Sequence, residues 1–338
     1  MEKTGVFFII FIFLFSNILM AQEPIILSLD EAVQIALRNN RDILLGQEDV
    51  KKAKEKISES RAAFFPSLNF SGTWSDTRGL YPKDLISATT QTTLKQYLYR
   101  GGKTINTIRF NGYNLEAAEA ILDRTKSDVL INLIKAFYTA LLSTELAELD
   151  KAILENTQEH LESLRIRYNN GQASETDILK LEATLGNLRQ AYEQSLSQAE
   201  SSNALLKNLL YLKEETEVEP KGEFSFELQE LAYDEAFLKA MKMRPEIRHY
   251  EALKEASKKA VEIAKADAKP TIYASWDYYS RSTTSLTFMP NKGWQDYNII
   301  GITFSWPVFD GWKTKAKVQQ AITDLKQAEL LKEKLVKD

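Results

Sequence analysis

Between Pro66 and Ser75 the chain alternates strictly, with Ser67, Asn69, Ser71, Thr73 and Ser75 at odd positions, Leu68, Phe70 and Trp74 at even ones, and Gly72 the one even gap. A period of two sends successive side chains to opposite faces, so the stretch predicts a strand with one greasy and one wet face. The pattern returns after Pro270, where Ile272, Ala274, Trp276 and Tyr278 form the apolar side. Both arms have about the length of a tilted strand crossing an outer membrane. Each is followed by a polar loop and a returning arm, ending at Leu94 to Lys103 in the first case and at Phe304 to Lys313 in the second.

Around these arms the period changes to that of helices. Ser28-Leu29-Asp30-Glu31 fits a capping box, with the Ser hydroxyl taking an early helical amide and the Glu reaching back. Asn40 then predicts a fresh cap and a second helix from Arg41. From Tyr113 to Asn170 there are 58 residues without Gly or Pro. Their apolar positions, among them Leu115, Leu122, Leu133, Phe137, Leu141 and Ile153, step by threes and fours. This predicts one coiled-coil-like helix, roughly 90 Å long at ~1.5 Å per residue. Asn169-Asn170-Gly171 stops it, and a second helix from about Ser174 to Leu212 completes an antiparallel hairpin.

The chain is an internal duplication. Asp30 aligns with Asp234, Ile43 with Ile247, Pro66 with Pro270 and Ser71 with Ser275, all at one offset of 204 residues. The returning arms align at 210, so the second loop is six residues longer, and insertions belong in loops. Arg41 faces Pro245, which is well placed at the first position of a helix, and Ser28 faces Ala232, which cannot cap. Residues 22–212 form the first repeat, with its strand pair at 67–100 and its long helical hairpin at 103–212. A Glu-rich connector follows at 213–229. The second repeat, 230–338, holds a strand pair at 271–309 and the start of a long helix. A second hairpin has no counterpart before Asp338, which implies a chain truncated at its C-terminus.

Composition narrows the function classes. With a formal charge of −4 and a pI near 5.6, the chain has no basic face for nucleic acid. Without cysteine it can carry no disulfide, thiolate metal site or catalytic thiol. Lys3, an apolar run from Val6 to Phe15 and Ala21 read as a secretory signal peptide over residues 1–21. No later run of strictly apolar residues approaches a spanning length, so further membrane contact is expected through strands. Trp74, Trp276, Trp294, Trp306 and Trp312 are all the tryptophans, and all fall in or beside the strands, as an aromatic girdle at a membrane interface would place them.

Four strands cannot close a barrel, so other subunits must supply the rest. A trimer gives twelve strands; a dimer gives eight and a filled interior. Gly101 and Gly102, and Gly311 in the second repeat, form strand-to-helix turns. Lys103-Thr104 lacks the upstream glycine of a phosphate-binding loop, since Tyr97 stands in its place. His160 and His249 are the only histidines and read as solvated helix surface. No catalytic, cofactor-binding or metal-ligating set emerges. A periplasmic coiled-coil scaffold or adaptor is the alternative reading, although it leaves the Trp-bearing strands without a purpose.

The residues resemble the TolC family of outer membrane efflux proteins. The resemblance is carried by Leu29-Asp30-Glu31-Ala32 through Asn40, by Phe65-Pro66-Ser67-Leu68, by Arg167-Tyr168-Asn169-Asn170-Gly171-Gln172-Ala173-Ser174 and by Pro307-Val308-Phe309-Asp310-Gly311. Tyr97 and Arg100 depart from the Pro and Asp kept at 307 and 310, so the first exit turn is expected to differ in shape. The family implies a mostly α membrane protein with four transmembrane strands per chain. Three chains would form a twelve-stranded barrel in the outer membrane of a Gram-negative-type bacterium, with long periplasmic helices forming a tunnel. It implies a homotrimer working with a periplasmic adaptor and an inner-membrane transporter in efflux or type I secretion, without enzyme activity. The hairpin tip at Tyr168, Asn169, Asn170, Gly171 and Ser174 would then meet the adaptor.

Overall fold

In a computed structural model, which describes residues 25–79, 85–213, 216–224, 232–282 and 293–337, the first capping signal works as its residues suggest. The Ser28 hydroxyl and amide donate to Glu31 Oε2 at 2.7 and 3.0 Å, and the Glu31 amide donates to Ser28 Oγ at 3.3 Å. The signal peptide read at residues 1–21 lies outside the described residues.

The elements run β1 (Ile25–Leu27), α1 (Leu29–Asn39), α2 (Arg41–Ala62), β2 (Ser67–Thr77), β3 (Leu85–Tyr99), α3 (Lys103–Asn169) and α4 (Glu175–Leu210). They continue with β4 (Val218–Pro220), α5 (Tyr233–Met243), α6 (Pro245–Ala266), β5 (Thr271–Ser282), β6 (Gln295–Ser305) and α7 (Lys313–Lys337). Asn40 breaks α1 from α2: its side chain accepts from the amides of Asp42 and Ile43 at 2.9 and 3.3 Å while almost wholly buried. The second repeat makes the same break without a side-chain cap, using Pro245 at the start of α6. Helix α3 begins at Lys103, well before the Gly-free run at Tyr113, and accommodates Gly112.

Two compact units emerge. In the unit that draws on Met1–Ala36 and Ile131–Ser225, Leu27, Ala32, Ala36, Leu133, Phe137, Ala140, Leu141, Leu206 and Leu210 form a core in which none is more than 2% exposed. β1 pairs in parallel with β4 here, so the connector between the repeats contains a short strand. Three residues without alternation give no sequence signal for it.

The unit of Leu37–Leu130 and Phe226–Asp338 holds the sheet and the helices that frame it. Ala117 and Ala120 on α3 and Ala252 and Ala256 on α6 are buried, and α6 packs closely against α7. Between α2 and α3, Asn111 Nδ2 donates to Ser60 Oγ at 2.5 Å and to the Lys56 carbonyl at 3.3 Å. Arg248 pairs with Asp123 at 3.2 Å between α6 and α3, and Lys332 of α7 pairs with Glu251 of α6. Hydrogen bonds from Lys254 and then Lys332 hold the Glu251 carboxyl below its ordinary range. His249 departs from the solvated surface expected of it: its Nδ1 lies 3.1 Å from the Ala117 carbonyl, a contact between helices distant in sequence that no local pattern announces.

The sheet is four-stranded and antiparallel, in the order β2-β3-β5-β6. Its centre joins the two repeats through β3 and β5, and its edges are β2 and β6.

Candidate functional site

Register decides what this sheet can do. Leu68 pairs with Leu94, Leu94 with Trp276 and Trp276 with Ile300, so one row across all four strands is apolar. Phe70, Ala274, Ile302 and Phe304 share that face, with Phe70 72% and Ile302 73% exposed. Toward the loops the same face turns polar at Asp76, Thr90, Ser280 and Asp296, where Ser280 Oγ lies 2.5 Å from Asp296 Oδ1. The apolar part is thus a band and not the whole face, as in a barrel whose outer wall has an apolar belt of finite height.

The opposite face is hydrogen-bonded across strands. Thr93 Oγ1 donates to Asp277 Oδ1 at 2.6 Å, and Gln91 Nε2 donates to Asp277 Oδ1 at 3.1 Å and to Tyr279 Oη at 2.9 Å. Tyr279 and Tyr297 stack with centroids 4.9 Å apart, and Ser75 and Ser87 share a hydrogen bond of 2.8 Å. Lys95 Nζ lies 3.8 Å over the Tyr273 ring. Gln91, Thr93 and Tyr279 escaped the sequence reading. Their odd positions were available as a signal, but which strand lies beside which is a tertiary fact.

The predicted aromatic girdle residues distribute unevenly. Trp276 sits mid-strand in the apolar row, and Trp74 lies on the same face opposite Ala88. Trp294 is half-buried just ahead of β6. Trp306 and Trp312 belong to the helix end of the sheet; Trp306 Nε1 donates to the Ala268 carbonyl at 3.2 Å, and Trp312 packs edge-on against Phe309.

The strand-to-helix turns correct one expectation. Despite Tyr97 and Arg100, the first exit keeps the shape of the second: Gly101 and Gly102 have φ of +62° and +85°, and Gly311 and Trp312 have +66° and +67°. The shape is kept because glycine takes this region freely, and Trp312 adopts it against the preference of L residues. What differs is the cap. Asp310 accepts from the Thr314 amide at 2.9 Å and its hydroxyl at 2.5 Å, whereas Arg100 lies 4.6 Å over the Tyr97 ring. Those two Thr314 bonds hold the Asp310 carboxyl below its usual range.

At the α3–α4 turn, the Gly171 amide donates to the Tyr168 carbonyl and the Gln172 amide to the Arg167 carbonyl, both at 2.9 Å, with Gly171 at φ +72°. This paired pattern is a Schellman motif. Ser174 caps α4 and forms a reciprocal box with Asp177, whose carboxyl is held low by the Ser174 hydroxyl and then its amide. Tyr168, Asn169, Asn170, Gly171 and Ser174 are all exposed, and Ile166 and Leu179 leave apolar surface beside them. Arg165 and Glu182 bridge the two arms at 2.8 Å. No group of three or more His, Cys, Asp or Glu side chains among the described residues is arranged to hold a metal ion.

Helix α3 includes an 18-residue stretch of mean hydropathy 1.3, long and apolar enough by composition alone to cross a bilayer, and a third of it is buried. Polar residues interrupt it, so it holds no strictly apolar run of spanning length. In its unit, Leu133, Phe137 and Leu141 face the core while Ile131, Ile134 and Leu142 are exposed, the division expected of an amphipathic packing helix.

Comparison with known proteins agrees with this geometry. The family model described as outer membrane efflux protein matches residues 32–210, more than half of the chain. The alkaline protease secretion protein AprF of Pseudomonas aeruginosa is 26% identical over 90% of this chain and 66% of its own length. Protein CyaE of Bordetella pertussis is 24% identical over 90% of this chain and 65% of its own. The chain thus spans about two thirds of the length of these curated relatives. Among solved structures, the CusC channel superposes with a TM-score of 0.72 at 17% identity, over 91% of this chain and 72% of that one. Helices framing an antiparallel sheet of transmembrane strands are the fold these channels share, and the chain belongs to the outer membrane efflux protein family.

Proposed function

We propose that this protein is the outer membrane conduit of a tripartite efflux or type I secretion machine, passive in itself and loaded by a periplasmic adaptor and an inner-membrane transporter. The observation that carries the reading is the sheet. One face bears a cross-strand apolar band, the other a hydrogen-bonded polar surface, and both edges are open. In a bilayer an open edge leaves backbone groups unpaired at a cost of several kcal/mol each, on the order of the stability of a domain when summed along a strand. Three chains together satisfy both edges of each sheet and enclose a polar lumen, and the tip from Tyr168 to Ser174 meets the adaptor. The likeness to AprF, an alkaline protease secretion protein, supports the secretion arm over small-molecule efflux.

The test is fractionation of the full-length protein with outer membranes, followed by non-denaturing electrophoresis in detergent and conductance in planar bilayers. A detergent-resistant trimer with stable conductance is expected. Recovery as a soluble periplasmic monomer would sink the reading.

A further inference from the structure

The polar face of the sheet carries few charges, and its opposite charges stay apart. Along the described strands these charges are Lys95 on β3 and Asp277 and Arg281 on β5. Each stands in one repeat alone, since the duplication sets Ser305 against Lys95, Thr73 against Asp277 and Thr77 against Arg281. Lys95 is opposite Ser275, so Asp277 lies diagonally across from it at about 7 Å, a gap that long side chains span. Lys95 nevertheless turns the other way. Its Nζ lies 3.8 Å over the Tyr273 ring and 4.9 Å over that of Tyr97, while Asp277 takes hydrogen bonds from the neutral Thr93 and Gln91.

The two rings gather a second cation. Arg100 lies 4.6 Å over Tyr97, which meets Tyr273 edge to face with centroids 5.8 Å apart. A cation held over a ring keeps its full charge, because the ring brings no counter-ion. At the same helix end of the sheet, the one carboxylate of Asp267 is outweighed by Lys103 and Lys317, which both pair with it. Arg281, at the loop end of β5, is exposed and adds a further positive charge.

We infer that Lys95, with Arg100 beside it, weights the lumen toward anionic solutes at the helix end of the sheet, and that Asp277 is the opposing charge. The inference rests on the conduit reading and adds to it the sign of charge that the lumen favours. Chains assembled around one lumen bring each charge to a common height, where it is repeated once per chain. Such rings of fixed charge concentrate counter-ions over about a Debye length, which is ~30 Å at 0.01 M salt and ~3 Å at 1 M. The tyrosine rings matter because they hold Lys95 away from the carboxylate that would otherwise neutralise it.

Because the chain has no cysteine, one introduced thiol can carry a chosen charge in a channel that has already folded. The full-length protein carrying Lys95→Cys is placed in planar bilayers, and its reversal potential in a potassium chloride gradient is read before and after thiol modification. Near 0.01 M salt, the chloride-to-potassium permeability ratio is expected to fall at least about twofold from the wild type. An ethylammonium adduct at the thiol should restore the ratio, and an ethylsulfonate adduct should lower it further. Asp277→Asn keeps the size and the accepting oxygen of the side chain and should raise the ratio. All of these differences should vanish near 1 M salt, as ~3 Å screening requires. A conducting channel whose ratio ignores the sign of the adduct, or ignores Asp277→Asn, overturns the inference and leaves the conduit reading standing. A protein that gives no conductance removes the two together.

Discussion

The exit turns of the two repeats, Tyr97 to Lys103 and Pro307 to Lys313, share a backbone and little else. Both carry two successive residues at positive φ, and both deliver an antiparallel strand into a long helix. The first uses two glycines and no side-chain cap; the second uses Gly311 and Trp312 and is capped by Asp310. Crowding differs more. A Cβ on Gly101 would stand 2.6 Å from Lys269 Cβ and 3.1 Å from the Ala266 carbonyl oxygen, whereas nothing lies within 4 Å of one on Gly311. The difference shows that a repeated fold preserves dihedral angles more strictly than the means of holding them. One turn is fixed by close approach to a neighbouring segment, the other by its own hydrogen bonds.

Substitutions can break this contrast, beginning with the largest effect. Gly101→Ala is expected to cost about 2–4 kcal/mol, combining left-handed strain with a clash that side-chain rotation cannot relieve. Gly311→Ala should cost only about 1 kcal/mol, the strain alone. Denaturant unfolding in detergent compares the two, and equal costs would show that crowding does not distinguish the turns.

Next in size, Asp310→Ala removes the cap of α7 and should cost about 1 kcal/mol. Arg100→Ala at the equivalent position loses only its place over the Tyr97 ring, about 0.5 kcal/mol at a half-buried site. Thermal unfolding of the pair would test whether the cap is confined to the second turn.

A smaller effect is pH-dependent. Asp267 accepts from Lys103 Nζ at 2.6 Å and Lys317 Nζ at 3.2 Å, tying the starts of α3 and α7, and has Ala63 as its counterpart in the first repeat. The bond from Lys103, followed by that from Lys317, lowers its carboxyl below the ordinary 3.8. Its stabilisation is fully present above that ordinary value and is lost as pH falls through the lowered one. Asp267→Asn should cost at most about 1 kcal/mol at neutral pH and flatten the acid limb of a stability–pH curve. An unchanged acid limb would show that the clasp carries no stability.

The smallest change runs the other way. Ala232→Ser gives the second repeat the capping pattern of Ser28 and Glu31, using Glu235, and should add about 0.5 kcal/mol, with Ser28→Ala losing as much. Helical content on heating would register both.

Much of this fold was legible in the residues, for local reasons. Alternation at Ser67 to Ser75 and Thr271 to Tyr278 marks β2 and β5 because a strand has a period of two whatever surrounds it. Ser28, Asn40 and Gly171 mark helix ends because caps satisfy backbone groups within a few residues. The tip residues could be found in sequence for the same reason, while their paired backbone bonds and the Asp177 half of the capping box became visible only in the structure. Strand β4 and the His249–Ala117 contact were hidden, one by brevity and the other by distance along the chain.

By itself the sequence determined the duplication, the period of each segment, the positions of the caps and the polarity of each strand's two faces, all of which follow from neighbours a few residues apart. The tertiary structure alone decided that β3 lies beside β5 across some 190 residues, at a register that joins Leu68, Leu94, Trp276 and Ile300 into one apolar row. It also fixed which open edges remain. Pairing between distant strands is a choice among partners of similar pattern, and only the packed chain makes it.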